Sequence, residues 1–201
     1  AVGYATQWAS MNAFIPGLIF PGAFAALASG DLTRKVAGDG GKLWAAGDSR
    51  IYVHDGNAWS LHHTLSGSSL STLRRGFGVT YVGGWGSYLA HDGGSGDWRR
   101  ILEHPSYLRS VAAGGGKVWI GGDQAFVAVE DGSGWRRVPW KTTHGASVTG
   151  LWVDASGVAW AVTSDGRIAR YDATSGELVQ EHHDSRGLRA IWGSSAQSLV
   201  A

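Results

Sequence analysis

Trp85 sits in the run Gly83-Gly84-Trp85-Gly86. A large ring flanked by glycines has little to pack against in its own segment. Its face suits stacking on a sugar or anchoring a protein partner, and packing within the loop is the competing reading. Trp140 follows Pro139 in the longest connector, residues 136–147, and carries the same two readings. Trp152 falls out of register with the other tryptophans and is a third contact candidate. The basic residues come in doublets, Arg74-Arg75, Arg99-Arg100 and Arg136-Arg137. Arg99 and Arg136 directly follow Trp98 and Trp135, on what reads as an outermost strand. Charge there either discourages edge-to-edge pairing or forms a patch for an anionic ligand or partner, so Arg99 and Arg136 are also contact candidates.

No catalytic constellation emerges. Glu103, Glu130, Glu177 and Glu181 occupy different positions and form no acid–base pair. Gly-x-Ser-x-Gly and His-Glu-x-x-His are both absent, and there is no Cys to supply a thiolate, a disulfide or a sulfur ligand. Gly40-Gly41-Lys42 and Gly114-Gly115-Gly116-Lys117 lack the hydroxyl and the spaced glycine of a phosphate loop and precede strands, so they read as turns. His54 and His91 precede Asp-Gly in equivalent places. His62-His63, His104, His144 and His182-His183 recur about once per unit in or just after a fourth strand. Imidazoles spread in that way do not converge to within about 2 Å of one ion. No metal, no cofactor and no catalytic residue is expected.

The elements that position these side chains repeat about every 40 residues, from starts near Leu32, Leu70, Leu108, Val148 and Leu188. Each unit has an apolar opening strand, then an apolar pair (Leu43-Trp44, Tyr81-Val82, Val118-Trp119, Ala159-Trp160). An alternating strand follows, for example Arg50-Ile51-Tyr52-Val53-His54. Next come the turn residues Asp55, Asp92 and Asp131, each followed by Gly, with Asp172-Ala173 in the fourth unit. Asp-Gly suits positive-φ hairpin turns. A fourth strand opens at Trp59, Trp98, Trp135 or Leu178. The repeated Trp44, Trp119 and Trp160 read as core, since burying such a ring removes about 150–250 Å² from water. Gly at 32 of 201 residues, four Pro and abundant β-branched and aromatic residues agree with an all-β chain rich in tight turns. A net charge of +1 advertises no nucleic-acid partner.

Four-stranded units of this period predict a β-propeller of about five blades. The fifth unit stops early, and residues 1–12 are expected to complete its blade, so that both termini close the ring. The Asp-Gly-x-x-Trp hairpin at 55–59, and the looser versions at 92–98 and 131–135, resemble the Asp-box repeats of bacterial sialidase-like propellers, although Val53, Ala90 and Val129 stand where the Asp-box Ser would be. The Trp-Ala-Ala-Gly and Trp-Ile-Gly-Gly strands resemble tectonin-type repeats. The resemblance spans about residues 32–201 and implies a secreted or cell-envelope bacterial protein.

Residues 1–31 are expected to hold the closing strand and a charge-free apolar segment. Pro16-Gly17 and Pro21-Gly22 interrupt that run and break any spanning helix. Membrane association would come only through residues 13–30, which are also the leading apolar patch for a partner. The function expected is a non-catalytic recognition or scaffold module with a protein partner. The alternatives are a lectin built on exposed Trp, and a sialidase-like glycosidase or lyase.

Overall fold

The computed structural model describes residues 35–39, 42–65, 69–85, 88–91, 97–103, 106–141 and 145–201, and every regular element among them is a β-strand. The first sheet runs β1 (Lys35–Asp39), β2 (Lys42–Gly47), β3 (Arg50–His54), β4 (Trp59–Thr64). The second runs β5 (Ser69–Gly76), β6 (Val79–Trp85), β7 (Tyr88–His91), β8 (Arg99–Glu103). The third holds β9 (Leu108–Gly114), β10 (Lys117–Gly122), β11 (Val127–Glu130) and β12 (Trp135–Arg137). The fourth holds β13 (Val148–Val153), β14 (Ala159–Thr163), β15 (Arg167–Asp172) and β16 (Glu177–His183). Each is an antiparallel meander in chain order, and β17 (Trp192–Ser195) with β18 (Ser198–Val200) forms a two-stranded fifth.

The second strands read as nearly unbroken apolar runs because both their faces are covered. Leu43 to Gly47 and Val118 to Gly122 are buried throughout. The fourth strands β12 and β16 are exposed along most of their length. First strands lie side by side, β5 against β1, β9 against β5, β13 against β9 and β17 against β13. The core lies between successive sheets. Trp44, Ile51, Leu70, Leu73 and Val82 join the first two, and Tyr81, Leu108, Val111 and Ile120 join the second and third. Trp119, Val129, Val148, Leu151, Ala161 and Tyr171 join the third and fourth.

The Gly114–Lys117 run is a turn between β9 and β10. Gly115 has φ +55°, and a Cβ on it would lie 2.3 Å from Gly157 Cα, so a side chain is excluded on both counts.

The expected closed five-bladed propeller is corrected. The described residues form separate small antiparallel sheets of four or two strands; none closes, and no pairing joins the fifth sheet to the first. A meander needs only neighbouring strands and short turns, which alternation and Asp-Gly encode locally. Ring closure is a contact between distant elements, and no local pattern specifies it. The proposed clasp of residues 1–12 and the segment 13–30 lie outside the described residues, as does Leu32. The fifth unit also begins its strand at Trp192 rather than at Leu188.

Candidate functional site

Each of the second, third and fourth sheets carries a register shift within the first three residues of its first strand. Leu70 pairs with Gly84 and Thr72 with Gly83, leaving Ser71 as the extra residue. The same shift leaves Arg109 in β9 and Thr149 in β13. A bulge of this kind re-aims one side chain. At two of the three positions the bulged side chain is a hydroxyl that stitches the row together. Ser71 Oγ donates to Leu108 O at 2.7 Å, and Thr149 Oγ1 donates to Leu188 O at 2.7 Å. Arg109 breaks the pattern, and its Nε instead donates to Asp123 Oδ1.

A second departure from the repeat lies beside the first. Residue 85 corresponds to Asp48 and Asp123 in the neighbouring units, yet it is Trp. Trp85 ends β6, is 63 % exposed, and its ring centroid lies 5.6 Å from that of Tyr107 at a 54° tilt. The strand end is held by a close backbone approach, since a Cβ on Gly84 would lie 2.0 Å from Ser69 O. Only Gly fits there, so the ring at 85 is carried on a rigid ladder rather than on a free loop. Arg109 Cζ sits 4.8 Å from the Tyr107 ring centroid, a cation–π contact.

Asp123 closes the cluster. Its amide donates to Tyr107 O at 3.0 Å, and its Oδ1 also accepts from Ser147 Oγ at 2.7 Å. Burial pushes the Asp123 carboxyl up, but the hydrogen bonds from Arg109 and Ser147 and the Arg109 charge outweigh it and hold it below its ordinary value. It is therefore ionised at neutral pH. The next two residues, Gln124 (φ 58°) and Ala125 (φ 51°), are consecutive non-glycine residues in the left-handed region. Such backbone costs about 1–3 kcal/mol per residue and persists where its surroundings impose it. Here Ala125 N donates to Ala146 O at 2.7 Å. Trp85, Tyr107, Arg109, Asp123 and Ser147 thus form one ledge across the second, third and fourth units.

The other candidates are placed elsewhere. Trp140 is half-buried against the core between the third and fourth sheets and bridges to Leu178 in parallel. Trp152 is half-buried opposite Trp160 in the β13–β14 ladder. Arg99 is exposed on β8. Arg136 is exposed on β12 and donates from Nη2 to Tyr171 Oη at 3.2 Å.

The turn aspartates cap their own hairpins. Asp55 Oδ1 accepts from the amides of Asn57 (2.9 Å) and Ala58 (3.1 Å). Asp131 Oδ1 accepts from Ser133 Oγ at 2.7 Å, and Asp172 takes the amides of Thr174 (3.0 Å) and Ser175 (3.2 Å). Asp92 lies outside the described residues.

His62 and His63 are half-buried on the outer strand β4. Trp98 Nε1 donates to His62 Nδ1 at 3.3 Å, His63 stacks on Trp98, and His62 meets Trp44 edge-on at 4.8 Å. His182 and His183 are exposed. Among the described residues no three His, Cys, Asp or Glu gather to hold a metal ion, and no helix is long and apolar enough to cross a membrane.

Of the ledge residues, the sequence singles out Trp85 as a contact candidate and not Tyr107, Arg109, Asp123 or Ser147. The available signal was repeat alignment. Arg109 replaces a hydroxyl found at the equivalent place in both neighbouring units.

No protein-family model matches the sequence, and no curated protein does either. Among solved structures, the chain is similar to the extracellular domain of the putative one-component system BT4673 from B. thetaiotaomicron. The TM-score is 0.64 at 20 % identity, over 83 % of this chain and 25 % of that one. A second structure, of the extracellular domain of the putative hybrid two-component system BT4673, gives 0.64 at 18 % identity over the same shares. This chain therefore spans about a quarter of the length of those neighbours, and the likeness is one of all-β fold.

Proposed function

We propose that the protein is a non-catalytic recognition module whose contact surface is the Trp85–Tyr107–Arg109–Asp123 ledge. The observation that carries this reading is that two departures from the repeat, Trp85 in the second unit and Arg109 in the third, meet at one place. Either alone is ordinary variation. Together they put an exposed indole, a phenol and a guanidinium–carboxylate pair beside the strained turn at Gln124 and Ala125. Trp, Tyr and Arg are the side chains that most often dominate binding energy. A protein partner or a glycan is the occupant in this reading. Asp123 is a poor general acid because its neighbours hold it ionised, which favours recognition over hydrolysis. A secreted or cell-envelope location is supported by the fold likeness to extracellular domains of a bacterial protein.

The test is a screen of the purified protein on peptide and glycan arrays, repeated with Trp85→Ala and Arg109→Ala. Ligands of the wild type should be lost in both variants while the melting temperature stays within about 2 °C, as for exposed substitutions generally. Ligands that survive both substitutions would place the surface elsewhere.

A further inference from the structure

The ledge has chemistry left over. The bonds from Arg109 Nε and Ser147 Oγ both go to Asp123 Oδ1, so Oδ2 takes no hydrogen bond from the described residues. The Arg109 guanidinium lies over the Tyr107 ring, and its terminal nitrogens hydrogen-bond to no described residue, because the bond to Asp123 uses Nε alone. Beside these stands the open face of Trp85, which is 63 % exposed.

From this we infer that the ledge binds a neutral sugar, a pyranose with two adjacent free hydroxyls. The inference rests on the recognition reading above and names its ligand class. The Arg109–Asp123 pair cancels its own charge, so the ledge offers no net attraction to an anion such as a phosphate, nor to a cation. What the pair does offer is a fixed acceptor beside fixed donors. A hydroxyl both donates and accepts. Adjacent hydroxyls on a ring can therefore give a hydrogen to Asp123 Oδ2 and take one from the Arg109 terminal nitrogens. Hydrogen bonds to charged groups are about twice as strong as neutral ones. The apolar C–H face of the same ring lies on Trp85, and Tyr107 supports the stack. The bulge at Arg109 and the left-handed turn at 124–125 fix these groups in advance, which reduces the ordering cost that makes sugar binding weak.

The experiment is a titration of the whole chain with a panel of neutral mono- and oligosaccharides at up to about 20 mM, read by tryptophan emission and by saturation-transfer NMR. At least one pyranose is expected to shift the emission, and its analogue methylated at one of the adjacent hydroxyls should bind about 10-fold more weakly. Trp85→Ala should weaken binding about 30-fold and Asp123→Asn about 10-fold. Leu61→Ala, on exposed β4 far from the ledge in the repeat, should leave binding unchanged. If a peptide ligand binds through Trp85 and no sugar does, the sugar assignment falls and the recognition reading stands. If no ligand of either kind depends on Trp85, both fall.

Discussion

Trp119 is fully buried, meets Tyr171 edge-on at 4.9 Å, and yet its indole N–H has no acceptor. Trp44 and Trp160, at the same place in their units, share that orphaned donor. The repeated indole is therefore kept for its volume and not for its polar end, and Tyr81, buried toward the next sheet in the same way, takes its place in the second unit. Trp119→Phe removes an unsatisfied donor along with part of the ring, and is expected to cost about 1–2 kcal/mol; Trp119→Ala, which leaves a cavity, should cost about 3–5 kcal/mol. Urea unfolding midpoints of the two variants check the ratio.

Polar residues in the turns behave differently. Burial raises the Asp154 carboxyl, but the Ser156 hydroxyl and the amides of Val158, Ser156 and Gly157 outweigh it and hold it below its ordinary value. The depressed value means that its stabilisation is fully present above the unfolded value of about 3.9 and is lost as pH falls through the folded value. Asp123 and Asp165 are depressed in the same sense. Melting temperature should therefore drop below about pH 4, and Asp154→Asn should be less stable at neutral pH and show a shallower acid decline.

At the level of elements, the strands were legible and the site was not. Second strands announced themselves as apolar runs, third strands by alternation, and fourth strands by the Trp after Asp-Gly. Those signals are local, and the observed β4 and β12 open at Trp59 and Trp135. Arg109 is the second residue of β9, in a stretch whose sequence reads simply as an apolar opening strand. Its significance comes from a bulge, and a bulge is a relation between two strands that one strand's sequence does not display. The Gly114–Lys117 run was read as a turn, and the geometry adds that it is coupled to a second turn at Gly157. The turns at Gly115 and Gly157 touch, so β9–β10 and β13–β14 pack tip to tip. Gly115→Ala combines a left-handed φ with a 2.3 Å collision against backbone. It should cost about 2 kcal/mol or more and lower the melting temperature by about 4–8 °C. Gly116→Ala, where φ is +76° but no atom lies near, should cost less. Paired thermal melts separate the steric part from the conformational one.

The described sheets form a row in which each buries its faces against its neighbours. Stability in such a row is approximately a sum of unit terms and nearest-neighbour interfaces. The third and fourth sheets share the largest described cluster, including the fully buried Trp119, Val127, Val148 and Ala161. Among the described residues, the fifth sheet has two short strands, exposes Trp192 and Val200, and meets the row chiefly through β13. Its edge strand β18, Ser198-Leu199-Val200, carries no charge, whereas β8 and β12 carry paired Arg and β16 carries Glu and His. The sequence repeats hid this gradient, because similar units look equally stable when read one at a time. Opening free energy is set by the interfaces instead, and it should rise from the fifth sheet inward. Amide hydrogen exchange is expected to be slowest in β10 and β14 and faster in β17 and β18, with opening free energies lower by about 2–3 kcal/mol. Leu151→Ala, in the cluster between the third and fourth sheets, should lower protection in both of those sheets together and change the first sheet least. Equal protection of all five sheets, or a Leu151→Ala effect spread evenly over them, would show a single cooperative unit and overturn the nearest-neighbour account.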